Sequence, residues 1–449
     1  MLISALIVIL LAYFVAGKFY LHALPEKLFV LVFSISTIYY GVLGPWYWTE
    51  FKNSTFLGID WSGQFPTVIY SFVLVFLIVV ATISILGGRS ERDCFLEGES
   101  DVGRLMPRVK LLLWIGFLSC AYVYIVGGAL AESEMLVTSD PFLNIFFQFS
   151  DLSIGTLLFL GVSKGFDKKW IALASVFVAY AVISGFRSKL ALLLGPLLLY
   201  LFFLPRKNQL LMRGGMFIFG LIIVILFSVM TIVRVKFSGF DLDALVGADM
   251  DEYLYGLFAE TNLIFGLSSA LAIFGEKIPF AGLTPFTEVI TQFVPRFVDP
   301  DKDLYLHLKQ AAWWLANSQE AQDSGTAMPF YGEYYAAFGW LGVVFFVMLY
   351  AAVVIYLIRF IRRHALTKNQ YLMGAALIAV FLGYYYFSRG SVAQIFKGMI
   401  FACGPYFYLT YIHSKLERSS NQLKTMRAQT GRYRLKKLRD RDHAFTKRF

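Results

Sequence analysis

The chain has 449 residues, of which 58% are hydrophobic and only 16% are charged. That balance excludes an ordinary soluble globular protein and fits a membrane protein that crosses the bilayer several times. The formal charge of +10 invites comparison with nucleic-acid binders, yet 12 of the 40 Lys and Arg residues fall in the last 37 positions and most others flank apolar runs. Membrane topology accounts for that distribution better than a nucleic acid does. Cys94, Cys120 and Cys403 are scattered, which leaves neither a disulfide framework nor a Cys-based zinc site.

A spanning helix needs roughly 20 mainly apolar residues, and about eleven runs qualify. They cover about Met1 to Ala16, Leu28 to Leu43, Pro66 to Leu86, Leu111 to Leu130, Phe142 to Val162, Trp170 to Ser184, Leu190 to Leu204 and Gly214 to Val233, then Tyr335 to Leu357, Gln370 to Phe387 and Val392 to Ile412. The sequence predicts an all-α membrane protein, one domain over 1–449. The first run has no cation before it and Lys18 and Lys27 after it, so the amino terminus is expected outside. With spans alternating, 29 Lys and Arg fall inside and 10 outside, one more lying within the last span. A further apolar stretch, Leu254 to Phe274, reads as a re-entrant or interfacial helix. The basic tail, 413–449, reads as a solvated cytoplasmic anchor at anionic lipid.

The segment 234–334, Arg234 to Tyr334, is too polar and Pro-rich to be another simple helical hairpin, and it is expected to be the working part, outside. The positive-inside rule gives no reason for the outside cations Arg187, Lys189, Arg234, Lys236, Arg296, Lys302 and Arg389. Arginine offers a planar fork of donors suited to phosphate oxygens, and several converging would bind a diphosphate. Among the carboxylates, Asp241/Asp243 and Asp249/Asp251 have an Asp-x-Asp spacing, which reads as solvated loop more readily than as a metal site. Glu260, within an apolar helix-like run, and Glu333, where the loop meets a span, are candidate proton acceptors, with a structural salt bridge the plain alternative for each. His307 is a minor alternative base. No phosphate-cradling Gly-rich loop, zinc motif or serine elbow is visible, so a nucleotide site is not expected.

Four features together resemble the Wzy-type oligosaccharide repeat-unit polymerases of bacterial O-antigen and capsule assembly: Ser184-Gly185-Phe186-Arg187-Ser188 before a span; Pro279 followed by Gly282-Leu283-Thr284; Pro295-Arg296 followed by Pro300-Asp301-Lys302; and Gly332-Glu333-Tyr334 with Phe338-Gly339 opening the next span. The resemblance covers about 170 to 395. It implies a GT-C type glycosyltransferase in the bacterial inner membrane, using a polyprenyl-diphosphate-linked glycan, with no cofactor and no metal, and with a chain-length regulator protein as a possible partner. Arg187, Arg234, Arg296, Lys302, Arg389 and Tyr334 would meet the lipid-linked substrate, Glu333 or Glu260 would take the acceptor's proton with inversion, and Trp313, Trp314 and Tyr331 would cover sugar faces. The rival readings are an O-antigen ligase, for which His307 would matter, and a polysaccharide flippase or transporter, whose charges would line the spans near mid-bilayer.

Overall fold

The computed structural model describes residues 1–21, 23–56, 59–87, 95, 102–127, 141–184, 186–203, 249–292, 294, 311, 328–385 and 391–420. The protein is a helical membrane bundle. Its first half contains α1 (Leu2–Val15), α2 (Leu24–Ile38), α3 (Gly44–Lys52), α4 (Phe65–Leu86), α5 (Met106–Gly127), α6 (Pro141–Ser150), α7 (Leu152–Lys164), α8 (Lys168–Ile183) and α9 (Arg187–Phe203). Next come α10 (Met250–Phe258), α11 (Leu263–Ile273) and α12 (Thr284–Thr291), and then α13 (Phe330–His364), α14 (Lys368–Val380), α15 (Val392–Gly398) and α16 (404–420). A two-stranded antiparallel pair, Thr55–Phe56 with Ile59–Asp60, is a small departure from the all-α expectation.

A helix lies over each expected run that falls among the described residues, while Gly214 to Val233 lies outside them. Among the described residues, five helices are long and apolar enough to cross a membrane, or six if α10 and α11, bent by 52°, form one broken span. The other expected runs lie in helices that are shorter or less apolar, such as α1, or, for Gly214 to Val233, outside the described residues. π-helical turns follow α14 at Phe381–Tyr385 and α15 at Met399–Cys403. The stretch read as one helix-like run from Leu254 to Phe274 breaks at the 3₁₀ turn Ala259–Asn262. Trp48 Nε1 donates to Thr261 Oγ1 at 3.0 Å and fixes that turn against the end of α3.

At the centre stands α14, buried on every side from Gln370 to Val380 and packed against α2, α7, α9 and α13. A helix apolar all round belongs in such a place. Its start is capped by Thr367, whose hydroxyl accepts from Gln370 N, and Gln370 Nε2 in turn bonds Ser163 Oγ at 3.2 Å and His413 Nδ1 at 3.1 Å. With His364 Nδ1 at 3.3 Å from Ser414 Oγ, these bonds gather the ends of α7 and α13 and the middle of α16 at one end of the bundle, here the His364 end. Because Lys189 of α9 pairs with Asp151 just before α7, and the far end of α7 holds Ser163 against Gln370, α9 begins at the opposite end. Arg187 therefore belongs to the end that carries Gly339.

The apolar helix α13 is not straight. Phe338 (φ −144, ψ 18) and Gly339 (φ 64, ψ −155) leave helical geometry, and the chain reverses there. Phe330 and Tyr350 have ring centroids 4.6 Å apart and Tyr334 and Phe346 5.2 Å, whereas twenty residues of straight helix would separate the first pair by about 30 Å. Phe330–Ala337 is therefore a short helix folded back against the long helix 340–364. Gly339 occupies a region of backbone space that is essentially open to glycine alone. The carbonyls of Ala336 and Ala337, orphaned by the reversal, accept from Ala281 N at 2.8 Å and Gly282 N at 3.0 Å.

Candidate functional site

The reversal changes the setting of Glu333. Sequence patterning puts this carboxylate at a loop-to-membrane boundary. In the fold it lies inside the folded-back helix, next to Tyr334, which packs beside Phe346, about 9 Å below the start of the long helix at 1.5 Å per residue. Glu333 is only 1% exposed. Its Oε2 accepts the main-chain N–H of Val392, the first residue of α15, at 2.7 Å. That short helix is itself well defined, because Ser391 and Gln394 form a reciprocal capping box. An ionisable group held at membrane depth marks a functional candidate, since its desolvation is costly unless fold or chemistry requires it.

A second carboxylate approaches the same place. Glu288 on α12 is 4% exposed, and Gln292 stands one turn further along the same face. Gln292 Nε2 donates to Ala393 O at 2.7 Å, so the face carrying Glu288 and Gln292 is turned to the start of α15. The sequence reading passed over Glu288 because an acidic residue on a short amphipathic helix ordinarily points to water. Phe286 on α12 packs its ring on Phe346 at 4.4 Å, and this contact anchors α12 over the reversal. Three of the motifs separated in sequence, Gly282-Leu283-Thr284, Gly332-Glu333-Tyr334 and Phe338-Gly339, thus form one structural unit.

The remaining candidates divide into three groups. Arg187 is half-buried at the first position of α9. Arg234, Arg296, Lys302 and Arg389 lie outside the described residues, as do Lys236, Asp241, Asp243, His307, Trp313 and Trp314. In sequence Arg389 precedes Val392 by three positions and Arg296 follows Gln292 by four. Glu260 has its backbone in the turn between α10 and α11, and its side chain lies outside what is described.

One aromatic assignment is corrected. Tyr331 is buried, its hydroxyl shares a 2.9 Å hydrogen bond with Ser71 and its ring meets Phe72 edge-on, so it ties the folded-back helix to α4 and has no face for a sugar. The ring of Tyr334 is enclosed by Phe286, Phe330 and Phe346. Asp249 Oδ1 accepts from Glu252 N at 2.8 Å and caps the start of α10, a local duty for one of the Asp-x-Asp pairs.

Lys189, counted with the outside cations, turns out to be 2% exposed and paired with Asp151, which interrupts the expected span Phe142 to Val162 between α6 and α7. The sequence signal for a charge at this depth is the polar break Gln148, Ser150 and Asp151, which begins six residues inside the expected span Phe142 to Val162.

No family model, curated protein or solved structure matches this chain.

Proposed function

We propose that this protein is a membrane glycosyltransferase that polymerises oligosaccharide repeat units carried on a polyprenyl diphosphate, at the outer face of a bacterial inner membrane. The observation that carries the reading is the buried carboxylate of Glu333, held at membrane depth against the start of α15 in the same unit as the polymerase-like motifs. Its Oε2 accepts the main-chain N–H of Val392, which fixes the orientation of the carboxylate. A carboxylate held in this way is the group this reading assigns to accept the proton.

In this reading the hydroxyl of an acceptor sugar attacks the anomeric carbon of the donor glycan, forming the new glycosidic bond with inversion. The bond from that carbon to the diphosphate oxygen breaks, and the electron pair leaves with the lipid diphosphate. Glu333 receives the hydroxyl proton, with Glu260 the other candidate. Negative charge grows on the diphosphate as the bond breaks, and guanidinium donors are worth most there. Arg187, Arg234, Arg296 and Arg389 are the groups assigned to it, with Lys302 as a further cation. The partners of this reaction are the lipid-linked oligosaccharide and membrane lipid, together with a chain-length regulator.

The test is to incubate purified protein with a synthetic polyprenyl-diphosphate oligosaccharide and resolve the products on a gel. A ladder spaced by one repeat unit is expected. A single transfer to a lipid A core acceptor would make the protein a ligase, and movement of substrate across vesicles without new bonds would make it a transporter.

A further inference from the structure

The buried ion pair of Lys189 and Asp151 joins three helices at the end of the bundle that carries Gly339. Lys189 Nζ lies 2.8 Å from Ser150 Oγ and 3.1 Å from Phe147 O, and it forms an ion pair with Asp151. Phe147 O is one of the last carbonyls of α6, where it also accepts from Ser150 Oγ at 2.7 Å, and a cation at that terminus is favoured by the helix dipole. The ring of Phe147 lies under the ammonium, with its centroid at 4.0 Å, and Phe186 lies at 5.7 Å. All three donor positions of an ammonium are therefore directed at α6 and at the break before α7.

Neither the packing of the spans nor the positive-inside rule requires this arrangement. Replacing a buried pair by apolar side chains is often neutral or stabilising, so stability alone is a weak reason to keep one. Its geometric effect is specific. Lys189 is two residues from Arg187, within the first turn of α9, so clamping Lys189 fixes where α9 starts and which way its first residue faces. The neighbouring residue Phe186 is also locked, buried between Phe147 at 5.1 Å and Tyr180 at 5.6 Å.

We infer that Lys189 and Asp151 are positioning residues that hold the guanidinium of Arg187 in place for the diphosphate of a lipid-linked substrate. This inference rests on the diphosphate-binding part of the proposed function and deepens it. A guanidinium on a frayed helix start would sample many directions, and binding would then carry the cost of ordering it.

The experiment uses the full chain in detergent with farnesyl diphosphate, a sugar-free prenyl diphosphate, as the binding probe. The neutral pair Lys189→Met with Asp151→Asn avoids a buried uncompensated charge and should keep the parental melting temperature within a few degrees. It should bind the probe about tenfold more weakly, a loss of about 1.4 kcal/mol. In the Arg187→Ala background the same pair should change affinity less than twofold, because a positioning effect needs the group it positions. Ser150→Ala, which keeps the ion pair and removes one Lys189 hydrogen bond, should show a smaller loss with the same dependence on Arg187. It serves as the readout if the double variant fails to fold.

Parental affinity in the neutral pair, an equal loss with and without Arg187, or no binding of the probe by the parental chain would each overturn the inference. Probe binding that depends on Arg187 without any chain extension from a lipid-linked repeat unit would sink the polymerase reading and leave this one standing.

Discussion

Glu333 Oε2 and the main-chain N–H of Val392 meet at 2.7 Å, joining two segments 59 residues apart in sequence. Both residues lie near breaks in helices, and the bond determines how the two broken ends face each other. A hydrogen bond to a charged group is worth roughly 1.5 to 3 kcal/mol, so this contact matters for structure as well as for any chemistry.

The two duties of Glu333 can be separated by substitution. Glu333→Gln keeps a carbonyl oxygen for Val392 but loses basicity. It should fold with a melting temperature near that of the parent and lose roughly 100- to 10,000-fold in chain extension. Glu333→Ala removes the acceptor too and should lower stability by about 1 to 3 kcal/mol. Thermal unfolding measured beside gel-resolved extension checks both, and an active Gln variant would leave Glu333 a purely structural residue.

The reversal at Gly339 gives a second expectation. An ideal Cβ there would sit 3.0 Å from the Phe280 ring at φ +64, so Gly339→Ala combines backbone strain with a clash. A loss of about 1 to 3 kcal/mol is expected from the backbone alone. Gly63→Ala, where nothing lies within 4 Å, is the control and should stay within about 0.5 kcal/mol. Equal melting temperatures for the two variants would show that the reversal does not depend on glycine.

Hydropathy made the membrane class and most helix positions legible, because an apolar run of sufficient length has few alternatives. One short motif, Gly282-Leu283-Thr284, meets the chain between two other quoted segments, where Gly282 N donates to Ala337 O. Sequence did not disclose the fold-back of Phe330–Ala337, because the segment runs without a loop into the helix it packs against and periodicity cannot mark a reversal. It also missed the pairing of Lys189 with Asp151. The two residues lie 38 apart, and each alone resembles a flanking or break residue.

The cation distribution of 29 against 10 sets the expected sidedness, with the long loop outside and the tail inside. With Cys94 replaced and the buried Cys120 and Cys403 left in place, a cysteine at Ser324 should react with a membrane-impermeant maleimide in intact spheroplasts. One at Ser419 should react only after permeabilisation. The opposite pattern would invert the topology and put the Gly339 end in the cytoplasm.

The last expectation concerns the guanidinium groups at Arg187 and Arg296. A guanidinium can donate two parallel hydrogen bonds to phosphate oxygens, and lysine keeps the charge but loses the fork. Arg187→Ala and Arg296→Ala should each abolish most chain extension, and the Lys variants should recover only part of the rate. If both grip one diphosphate, the double Lys variant should depart from the product of the single effects, since groups that share a ligand are not independent. The plain alternative is that each arginine anchors its segment by a salt bridge, for Arg296 with Asp299 or Asp301. That role would lower the yield of folded protein and its melting temperature while the folded fraction kept its turnover. Measuring yield, melting temperature and extension on the same preparations separates the two accounts. Well-folded Ala variants that extend chains at the parental rate would remove both arginines from the substrate site.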